Sequence, residues 1–537
     1  METPVVDKAV AKISLPMGRV VSFATITAVG FALGKVSGVL REIVVSAHFG
    51  LSPQLDAYFI AGTVPTIINN VVAGSAITAA IMPTFARYLT AGKRDEFWYV
   101  ASIITNIVLL VAIVLTALSI MFAGPIIRIV GVGLPPETQA LAANLLVIMM
   151  PTLALGAALN MLMAVLNALD RFTAPALIFL ALNFGIITTV ILLTPVIGIY
   201  AVAWGFLIGV TLQVLIQFVE LRLERPKFHW RLDWRHPAVG QVARAFVPIA
   251  ALSIIAQINY AVDKTMATGL APGSVGALYY ANSVLGMFYM VGLSLGIGMF
   301  PTLSRMAVIH DTASTARTVN LALRLLVFIL VPLTMLLIAF PAPIIGVLLG
   351  RGQFDPGAVQ MTAQALEMYA IGLIAVGAMY VLQLAFYALS DGTTPLVIGS
   401  LVVVAHIILN LMLIPSMAHA GIALSASVTS IAGVVALLVL LARRVSGISL
   451  TNLGAFLLRC LFFGGLSAAP VAWLFGSLHL EVATLSARMI GVGLAAVGGL
   501  IYLGLASITR THESQLLWQT ARGFLKLDGR RTSEDES

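Results

Sequence analysis

Long apolar runs, separated by short breaks that are polar or contain Pro and Gly, fill almost the whole chain. A helical run of about 20 apolar residues crosses a hydrocarbon core about 30 Å thick. Backbone groups in lipid need internal hydrogen-bond partners, and the runs lack the alternation typical of membrane β-strands, so the pattern predicts α-helices. We predict fourteen transmembrane helices. The spans lie near 19–48, 54–86, 98–123, 138–169, 174–195, 197–221, 242–268, 275–304, 318–349, 357–389, 395–414, 419–442, 453–476 and 486–508.

Composition favours the same class, an all-α polytopic membrane protein. Hydrophobic residues make up 60% and charged residues 10% of the 537 residues, whereas about a quarter of residues are charged in soluble domains. Lys and Arg concentrate in every second loop, as the positive-inside rule requires of cytoplasmic loops. We therefore expect both termini in the cytoplasm. The net charge of +8 reflects this orientation and attraction to anionic lipids rather than nucleic acid binding.

Motifs that are missing disfavour several other classes of protein. Residues 1–18 contain charges and no short apolar run before a cleavage-like site, so we expect a cytoplasmic segment rather than a removable signal peptide. Cys460 is the single cysteine, which excludes an internal disulfide. The sequence has neither an H-E-x-x-H metal motif nor a Walker A motif. We expect a transporter with no catalytic residues, no metal site and no cofactor.

The chain also resembles itself. The stretch Met82–Arg87 returns in the second half as Phe300–Arg305. Two further pairs keep nearly the same offset: Pro125-Ile126-Ile127 with Pro343-Ile344-Ile345, and Ala168-Leu169-Asp170 with Ala388-Leu389-Ser390-Asp391. Because the offset covers six spans, the halves enter the membrane with the same orientation, as parallel repeats of a transporter do. Duplication that serves folding alone is the alternative.

The repeat predicts two six-helix bundles facing a cavity, with alternating access by rocking, and two added helices. We divide the chain into a cytoplasmic segment (1–18), an N-lobe with spans 1–6 (19–221), a linker (222–241), a C-lobe with spans 7–12 (242–443), spans 13 and 14 (444–508) and a cytoplasmic tail (509–537).

The linker carries Phe228, Trp230 and Trp234 among Lys and Arg residues. Aromatic rings and basic head groups both favour the membrane–water interface, so we expect an amphipathic linker at the cytoplasmic surface. A regulatory or partner-binding role is the alternative.

Charged side chains at membrane depth indicate function, since each costs at least about 2.5–3.5 kcal/mol to insert. Leu40-Arg41-Glu42 and Val262-Asp263-Lys264 occupy nearly equivalent places in the two halves, with reversed signs. We predict that Arg41 with Asp263, or Glu42 with Lys264, closes an outer gate. In the open gate the cations, together with Lys35, would hold an anionic headgroup, because the arginine fork suits phosphate. Static ion pairs, or snorkelling at helix ends, are the alternative.

Asp56, Asp263 and Glu367 are the candidates for coupling to a transported ion. Asp56 follows a turn, so an N-cap or interface role is equally open, and Glu367 lies near enough to a span end to reach water. Asn69, Asn70 and Asn282 are candidate sugar-binding residues, with hydrogen bonding between helices as the commoner role for such residues.

Several motifs together resemble the MurJ/MviN lipid II flippase family over roughly residues 20–445. The motifs of the first half are Lys35-Val36-Ser37-Gly38-Val39-Leu40-Arg41-Glu42, Phe49-Gly50, Asp56-Ala57-Tyr58-Phe59, Pro65 and Ala80-Ile81-Met82-Pro83. Those of the second half are Asp263-Lys264, Pro272-Gly273-Ser274-Val275, Tyr279-Tyr280-Ala281, Pro301-Thr302-Leu303-Ser304-Arg305, Arg351-Gly352-Gln353-Phe354-Asp355, Ala385-Phe386-Tyr387-Ala388-Leu389 and Thr394-Pro395.

The resemblance implies a member of the multidrug/oligosaccharidyl-lipid/polysaccharide exporter superfamily in the bacterial inner membrane. It implies transport of an undecaprenyl-pyrophosphate-linked peptidoglycan precursor to the outer leaflet, hence a role in cell wall biogenesis and cell shape. A cationic cavity would take the headgroup, spans 13 and 14 the lipid tail, and membrane potential, sodium or protons would drive cycling. We expect a monomer that contacts membrane lipids and the cell-wall synthesis machinery.

The chain departs from the family pattern at several cavity positions. Asn69-Asn70 and Gly74 stand where Arg and an acidic residue are usual, and Asn282-Ser283 replaces Asp-Arg. Tyr380 and Leu384 occupy positions that are often basic. Three alternatives follow: a flippase for another polyprenyl-linked glycan, a drug or cation antiporter of the same superfamily, or a membrane scaffold that does not transport.

Overall fold

The computed structural model describes residues 17–72, 75–309, 311–478 and 484–508, together with residues 513 and 515. Within these residues the regular structure is helical, which confirms the predicted all-α class. The helices are α1 (Met17–Phe49), α2 (Pro53–Val72), α3 (Ser75–Thr90), α4 (Arg94–Met121), α5 (Ala123–Val130), α6 (Pro136–Met149), α7 (Pro151–Ala168), α8 (Thr173–Ile197), α9 (Tyr200–Arg222), α10 (Pro237–Ala267), α11 (Ser274–Val308), α12 (Thr312–Ala339), α13 (Pro341–Leu348), α14 (Pro356–Ile371), α15 (Leu373–Ala388), α16 (Thr393–Arg444), α17 (Leu450–Ser477) and α18 (Leu485–Ile508). Most of the predicted cytoplasmic segment and tail, and Gly74, lie outside the described residues.

Local sequence signals explain where many of these helices begin. Proline is the first residue of α2, α6, α7, α10, α13 and α14, a position where its fixed φ fits and its missing N–H costs nothing. Asp311, Asp355 and Ser449 cap the helices that follow them, each accepting a backbone N–H bond from three residues ahead. Such caps satisfy donors that the first helical turn leaves unpaired.

Nine helices are long and apolar enough to cross a membrane, among the described residues. The bent pair α14 and α15 would make a tenth span. Helix α16 has 52 residues and a non-helical residue inside it, Ala418, with φ 48°. The parts on either side of Ala418, residues 393–417 and 419–444, are each about 38 Å long at 1.5 Å per residue, enough to cross the hydrocarbon core. The chain is therefore a multi-pass membrane protein.

The described chain divides after Gly273 into two compact units. In the first unit, α8 packs along α1 and α9, and α2 packs on α6. Helix α10 packs on α2 and α3, so it belongs to this unit. The repeat-based division placed the same helix at the start of the C-lobe, so packing and sequence repeat divide the chain at different points.

Polar contacts hold α10 along much of its length. Near its start Arg87 donates to Gln241 (Nη2 to Oε1, 2.7 Å), and further on Asn70 donates to Gln257 (Nδ2 to Oε1, 3.2 Å). Just past its end the backbone N–H of Gly133 donates to Thr268 Oγ1 at 3.0 Å. These contacts explain why α10 packs with the helices before it.

The second unit contains α11 to α18. Helix α11 packs on α15 and α14, and α17 lies between α12 and α18. A buried cluster joins the last two helices to α12, with Phe328, Phe456, Cys460 and Tyr502 at its centre. The Tyr502 hydroxyl donates to the Phe328 carbonyl at 3.2 Å, which satisfies a polar atom that would otherwise be costly to bury.

Candidate functional site

Arg41 lies in α1, and its position is set by two different helices. Its guanidinium donates to Asn183 Oδ1 of α8 at 3.1 Å and pairs with the carboxylate of its neighbour Glu42. Asn183 is buried and also donates to the Gly34 carbonyl (3.1 Å) and the Ser37 hydroxyl (2.9 Å) of α1. Because one amide satisfies three groups of α1, it fixes both the helix and the direction of the Arg41 side chain.

Lys264, near the end of α10, is held by aromatic rings and a carbonyl. Its Nζ lies 4.5 Å from the centroid of the Tyr260 ring and 5.9 Å from that of Phe59, and it donates to the Phe59 carbonyl at 3.3 Å. Ring faces attract cations, most strongly where water is scarce. The Lys264 ammonium group is thus positioned by α2 and by its own helix.

Tyr58 links the two cationic residues. It interacts electrostatically with Arg41, Glu42 and Tyr260, and Tyr260 is the ring that Lys264 contacts. The sequence-predicted residues Arg41, Glu42 and Lys264 therefore share one neighbourhood of the first unit, which we call the charged cluster. The ion pairs predicted to close the gate, Arg41 with Asp263 and Glu42 with Lys264, stay a prediction.

Asp56 has a clear structural contact. It is buried, and its Oδ2 accepts a 2.6 Å hydrogen bond from the backbone N–H of Gly273. Gly273 has φ +89°, and a Cβ there would lie 2.8 Å from Leu51, so only glycine fits. The bond fastens the chain after α10 to the first turn of α2. A part in ion coupling stays a prediction.

The two neighbouring asparagines of α2, Asn69 and Asn70, face different helices. Asn70 donates to Gln257 of α10, as described above. Asn69 points to α7, where a Cβ on Gly156 would lie 2.6 Å from its Oδ1. This oxygen is buried without a hydrogen-bond partner among the described residues. A buried amide oxygen of this kind is suited to accept a bond from a hydroxyl or an amide.

The remaining candidate residues are less tightly placed. Lys35 is exposed on α1, six residues before Arg41, and Asp263 is half-buried beside Lys264. Asn282 on α11 is exposed, and Glu367 on α14 is half-buried; both belong to the second unit.

One buried polar cluster escaped the sequence reasoning. His406 and Asn410 from the first part of α16 meet Ser425 and Thr429 from the part beyond Ala418. The Ser425 hydroxyl lies 3.2 Å from His406 Nδ1 and donates to Asn410 Oδ1. The sequence does contain two pairs of polar residues spaced i, i+4, but nothing in it shows that the two pairs face each other across the break at Ala418.

The charged cluster is suited to binding an anion. Arg41 offers a planar fork of donors that matches phosphate oxygens, whereas Lys264 offers a compact charge. Glu42 offsets part of this charge, so a bound anion would compete with Glu42 for Arg41.

Known proteins resemble the chain over most of its length. The family model described as "Lipid II flippase MurJ" matches residues 45–493. The chain is 28% identical over 415 residues to the lipid II flippase MurJ of Burkholderia cenocepacia, covering 75% of this chain and 80% of the relative. It is 26% identical over 445 residues to the probable lipid II flippase MurJ of Vibrio cholerae, covering 79% and 82%.

Two solved structures share the fold. A lipid II flippase MurJ in its inward closed conformation superposes with a TM-score of 0.75 at 24% identity, covering 90% of this chain and 98% of that one. An inward-facing multidrug resistance MATE family transporter of the MOP superfamily gives a TM-score of 0.64 at 13% identity, covering 77% and 95%. The fold is thus that of the MOP superfamily of membrane transporters. Since the family model spans most of its length, the chain belongs to the lipid II flippase MurJ family.

Proposed function

We propose that this protein is a flippase that moves lipid II, the undecaprenyl-pyrophosphate-linked peptidoglycan precursor, from the inner to the outer leaflet by alternating access. The observation that carries the proposal is the family match over residues 45–493. Flipping moves a lipid without making or breaking a covalent bond, so the protein acts as a transporter, not an enzyme.

We assign the headgroup contact to the charged cluster. The pyrophosphate of lipid II is an anion with several oxygens, and Arg41 and Lys264 are cations that the fold holds in one neighbourhood. The buried Oδ1 of Asn69 and the exposed Asn70 offer partners for sugar hydroxyls. Binding of the pyrophosphate would separate Arg41 from Glu42, so the substrate itself would change the ion pairing of the residues predicted to form the gate.

The helix bounds support fourteen spans. The nine apolar helices and the bent pair α14–α15 give ten spans, and the break at Ala418 divides α16 into two, which makes eleven. Helix α1, the pair α2–α3 and helix α10 supply three more. An even number places both termini on the same side of the membrane, the cytoplasmic side by the basic loops.

The same bounds support a duplicated architecture. Helices α12 and α13 have the same lengths as α4 and α5, and both begin at one common offset from them. Asp170 and Ser390 both have positive φ (58° and 59°), and so do Gly198 and Ala418 (57° and 48°). Ser390 follows Asp170 at the same distance along the chain as Ala418 follows Gly198. Turns of the same unusual kind at the same spacing are expected if one ancestral unit was copied.

A cell-based experiment tests the proposed function. Bacteria depleted of their own lipid II flippase are supplied with this chain, and lipid II exposure is measured with a membrane-impermeant reagent that modifies outward-facing headgroups. We expect restored growth and restored outward exposure. A well-expressed protein that restores neither growth nor outward exposure would contradict the proposal. Uptake of cations that a drug stimulates would favour the antiporter alternative.

A further inference from the structure

A buried polar cluster lies between the two parts of α16 that the break at Ala418 separates. His406 and Asn410 of the first part are 1% and 0% exposed, and Ser425 and Thr429 of the second part are 0% and 5% exposed. We call these four residues the histidine cluster. Its contacts cross the break, so the two parts of α16 pack side by side at this point.

The histidine cluster lies near the middle of the membrane. His406 is at the centre of residues 393–417, about 18 Å from the break at Ala418, and the hydrocarbon core is about 30 Å thick. On the other side of the same helix Leu401 and Ile408 are 60% and 54% exposed, so lipid covers that side and His406 faces the interior of the second unit. An ionisable side chain at this depth is costly to insert and usually has a function.

The hydrogen bonds of the cluster assign one tautomer to the neutral His406 ring. The Ser425 hydroxyl donates to Asn410 Oδ1, and the Thr429 hydroxyl donates to the Ser425 carbonyl at 2.7 Å. Because both hydroxyl hydrogens are used in this way, the two hydroxyl oxygens, 3.2 Å and 3.5 Å from His406 Nδ1, accept from that nitrogen. On the other side of the ring, the amide nitrogen of Asn410 lies 3.2 Å from Nε2 and donates to it. The neutral ring therefore carries its hydrogen on Nδ1, and Nε2 is an acceptor.

The same side chains can also hold a protonated His406. An imidazolium ring donates from both nitrogens, so Nε2 then needs an acceptor. If the Asn410 amide turns over, its Oδ1 faces Nε2 and its nitrogen faces the Ser425 oxygen. The Ser425 hydroxyl then donates to the Ile422 carbonyl, which lies 2.9 Å away. In both arrangements a bond between Asn410 and Ser425 joins the two parts of α16, so a proton can bind without separating them.

The helices that pack on α16 are α11, α14, α15 and α17, and Glu367 of α14 is their one acidic residue. Glu367 is half-buried and precedes Met368, whose carbonyl accepts from Ser427 Oγ at 2.7 Å. It therefore lies at the level of the histidine cluster, where a carboxylate offsets the charge of an imidazolium. The other titratable or charged residues of α16 and these four helices are Tyr279, Tyr280, Tyr289, Arg305, Tyr369, Tyr380, Tyr387, His419, Arg443, Arg444, Arg459 and Cys460.

We propose that His406 is a proton-binding site in the membrane core of this protein. A proton from water bonds to the lone pair of Nε2, the Asn410 amide turns over, and the Ser425 hydroxyl moves its hydrogen bond from Asn410 to Ile422. Release of the proton to water reverses these steps. The proposal does not rest on the identity of the transported lipid, and the tests below contain no lipid II, so this proposal and the proposed function fail separately.

Protonation of the ring is measured by solid-state nitrogen NMR on the full-length protein in lipid vesicles, with isotope-labelled histidine. The signals of His406 are those that disappear in His406→Gln. We expect hydrogen on Nδ1 alone at about pH 9 and on both ring nitrogens at about pH 4, a range that brackets the ordinary histidine value of about 6.5. A ring that stays neutral down to about pH 4 overturns the proposal, as does a neutral ring with its hydrogen on Nε2.

The part played by Asn410 is tested by a side chain that only accepts. Asn410→Asp places a carboxylate beside Nε2, so we expect the doubly protonated signals of His406 to persist to a pH at least about one unit higher than in the unaltered protein. Asn452→Asp, which adds the same charge at an exposed position in the first turn of α17, is the matched control and should leave the His406 signals unchanged. An unshifted transition in Asn410→Asp, or equal shifts in both variants, overturns the proposal.

Discussion

At the scale of single residues, Arg41 owes its working position to Asn183. The amide of Asn183 accepts from Arg41 and donates twice to α1, so α8 sets the direction in which the arginine fork points. Glu42 pairs with the same guanidinium. A hydrogen bond to a charged group contributes about 1.5–3 kcal/mol, enough to influence how readily the cluster binds an anion.

Two substitutions test this arrangement. Arg41→Ala is expected to abolish lipid II flipping in the depletion assay while the protein still accumulates in the membrane, because the fork for phosphate is lost. Asn183→Leu keeps the arginine but releases it, and we expect about a tenfold or larger loss of flipping rate.

Asn160→Leu serves as the matched control, since this half-buried amide donates within its own helix, to the Gly156 carbonyl at 2.8 Å. Unchanged flipping in Arg41→Ala would refute the role of the cluster. Equal losses in Asn160→Leu and Asn183→Leu would reduce Asn183 to a packing residue.

The sequence revealed part of this site and concealed the rest. Reversed charges at nearly equivalent places drew attention to Arg41, Glu42 and Lys264, and the structure places these residues in one neighbourhood. The positioning role of Asn183 depends on which helices touch, and an apolar run does not encode its neighbours. The same holds for His406 and Asn410, whose partners lie beyond the break at Ala418.

At the scale of helices and loops, one ion pair occurs twice with its signs exchanged. Arg171, after α7, pairs with Glu224, after α9, at 2.7 Å. Asp391, after α15, pairs with Arg444 at the end of α16. The step along the chain from Arg171 to Asp391 equals the step from Glu224 to Arg444. Both pairs tie the turn after one helix to the end of a later helical segment, so the restraint is the same while the charges differ.

The Asp391 pair makes stability depend on pH. Hydrogen bonds from Thr394, with a contribution from Arg444, lower the pKa of Asp391 to about 2, below its ordinary value of 3.8. A carboxyl group whose pKa is lower in the folded than in the unfolded state makes its full contribution to stability at pH values above the unfolded-state pKa. This contribution is lost as pH falls from about 4 to about 2.

We therefore expect Asp391→Asn to lower the thermal unfolding temperature of the detergent-purified protein at pH 7, because the amide can still accept the backbone N–H bonds but loses the charge that pairs with Arg444, a contribution of up to about 1 kcal/mol. The difference from the unaltered protein should shrink as pH is lowered below 4. Asp170→Asn is the control, because Asp170 is exposed and Asn tolerates its positive φ. A difference that stays constant down to pH 2 would contradict the assignment.

Helix types were predictable, but their breaks were not. The predicted span 138–169 breaks between Met149 and Pro151. Hydropathy measures transfer into lipid and does not register a bend, so the two halves of a broken span read as one. The linker was predicted as amphipathic; in the structure residues 225–233 have no regular secondary structure, and the side chain of Asn106 on α4 donates to the carbonyls of His229 and Arg231.

At the scale of the whole molecule, the family match and the charged cluster cover different parts of the chain. The family match spans both compact units, while the cluster lies entirely in the first. The repeat predicted two bundles, and yet α10 packs with the unit before it, since its partners Arg87, Asn70 and Gly133 all precede it. Sequence similarity between halves and side-chain packing are separate properties, so they need not divide the chain at the same residue.

The central claim is that this chain carries lipid II across a bilayer by means of the charged cluster. The most direct measurement reconstitutes the purified protein in liposomes containing lipid II and follows the fraction of headgroups that an impermeant enzyme modifies. We predict that the modified fraction exceeds the level of protein-free liposomes with the unaltered protein, and falls back to that level with Arg41→Ala. A correctly inserted, unaltered protein that leaves the fraction at the protein-free level would contradict the account.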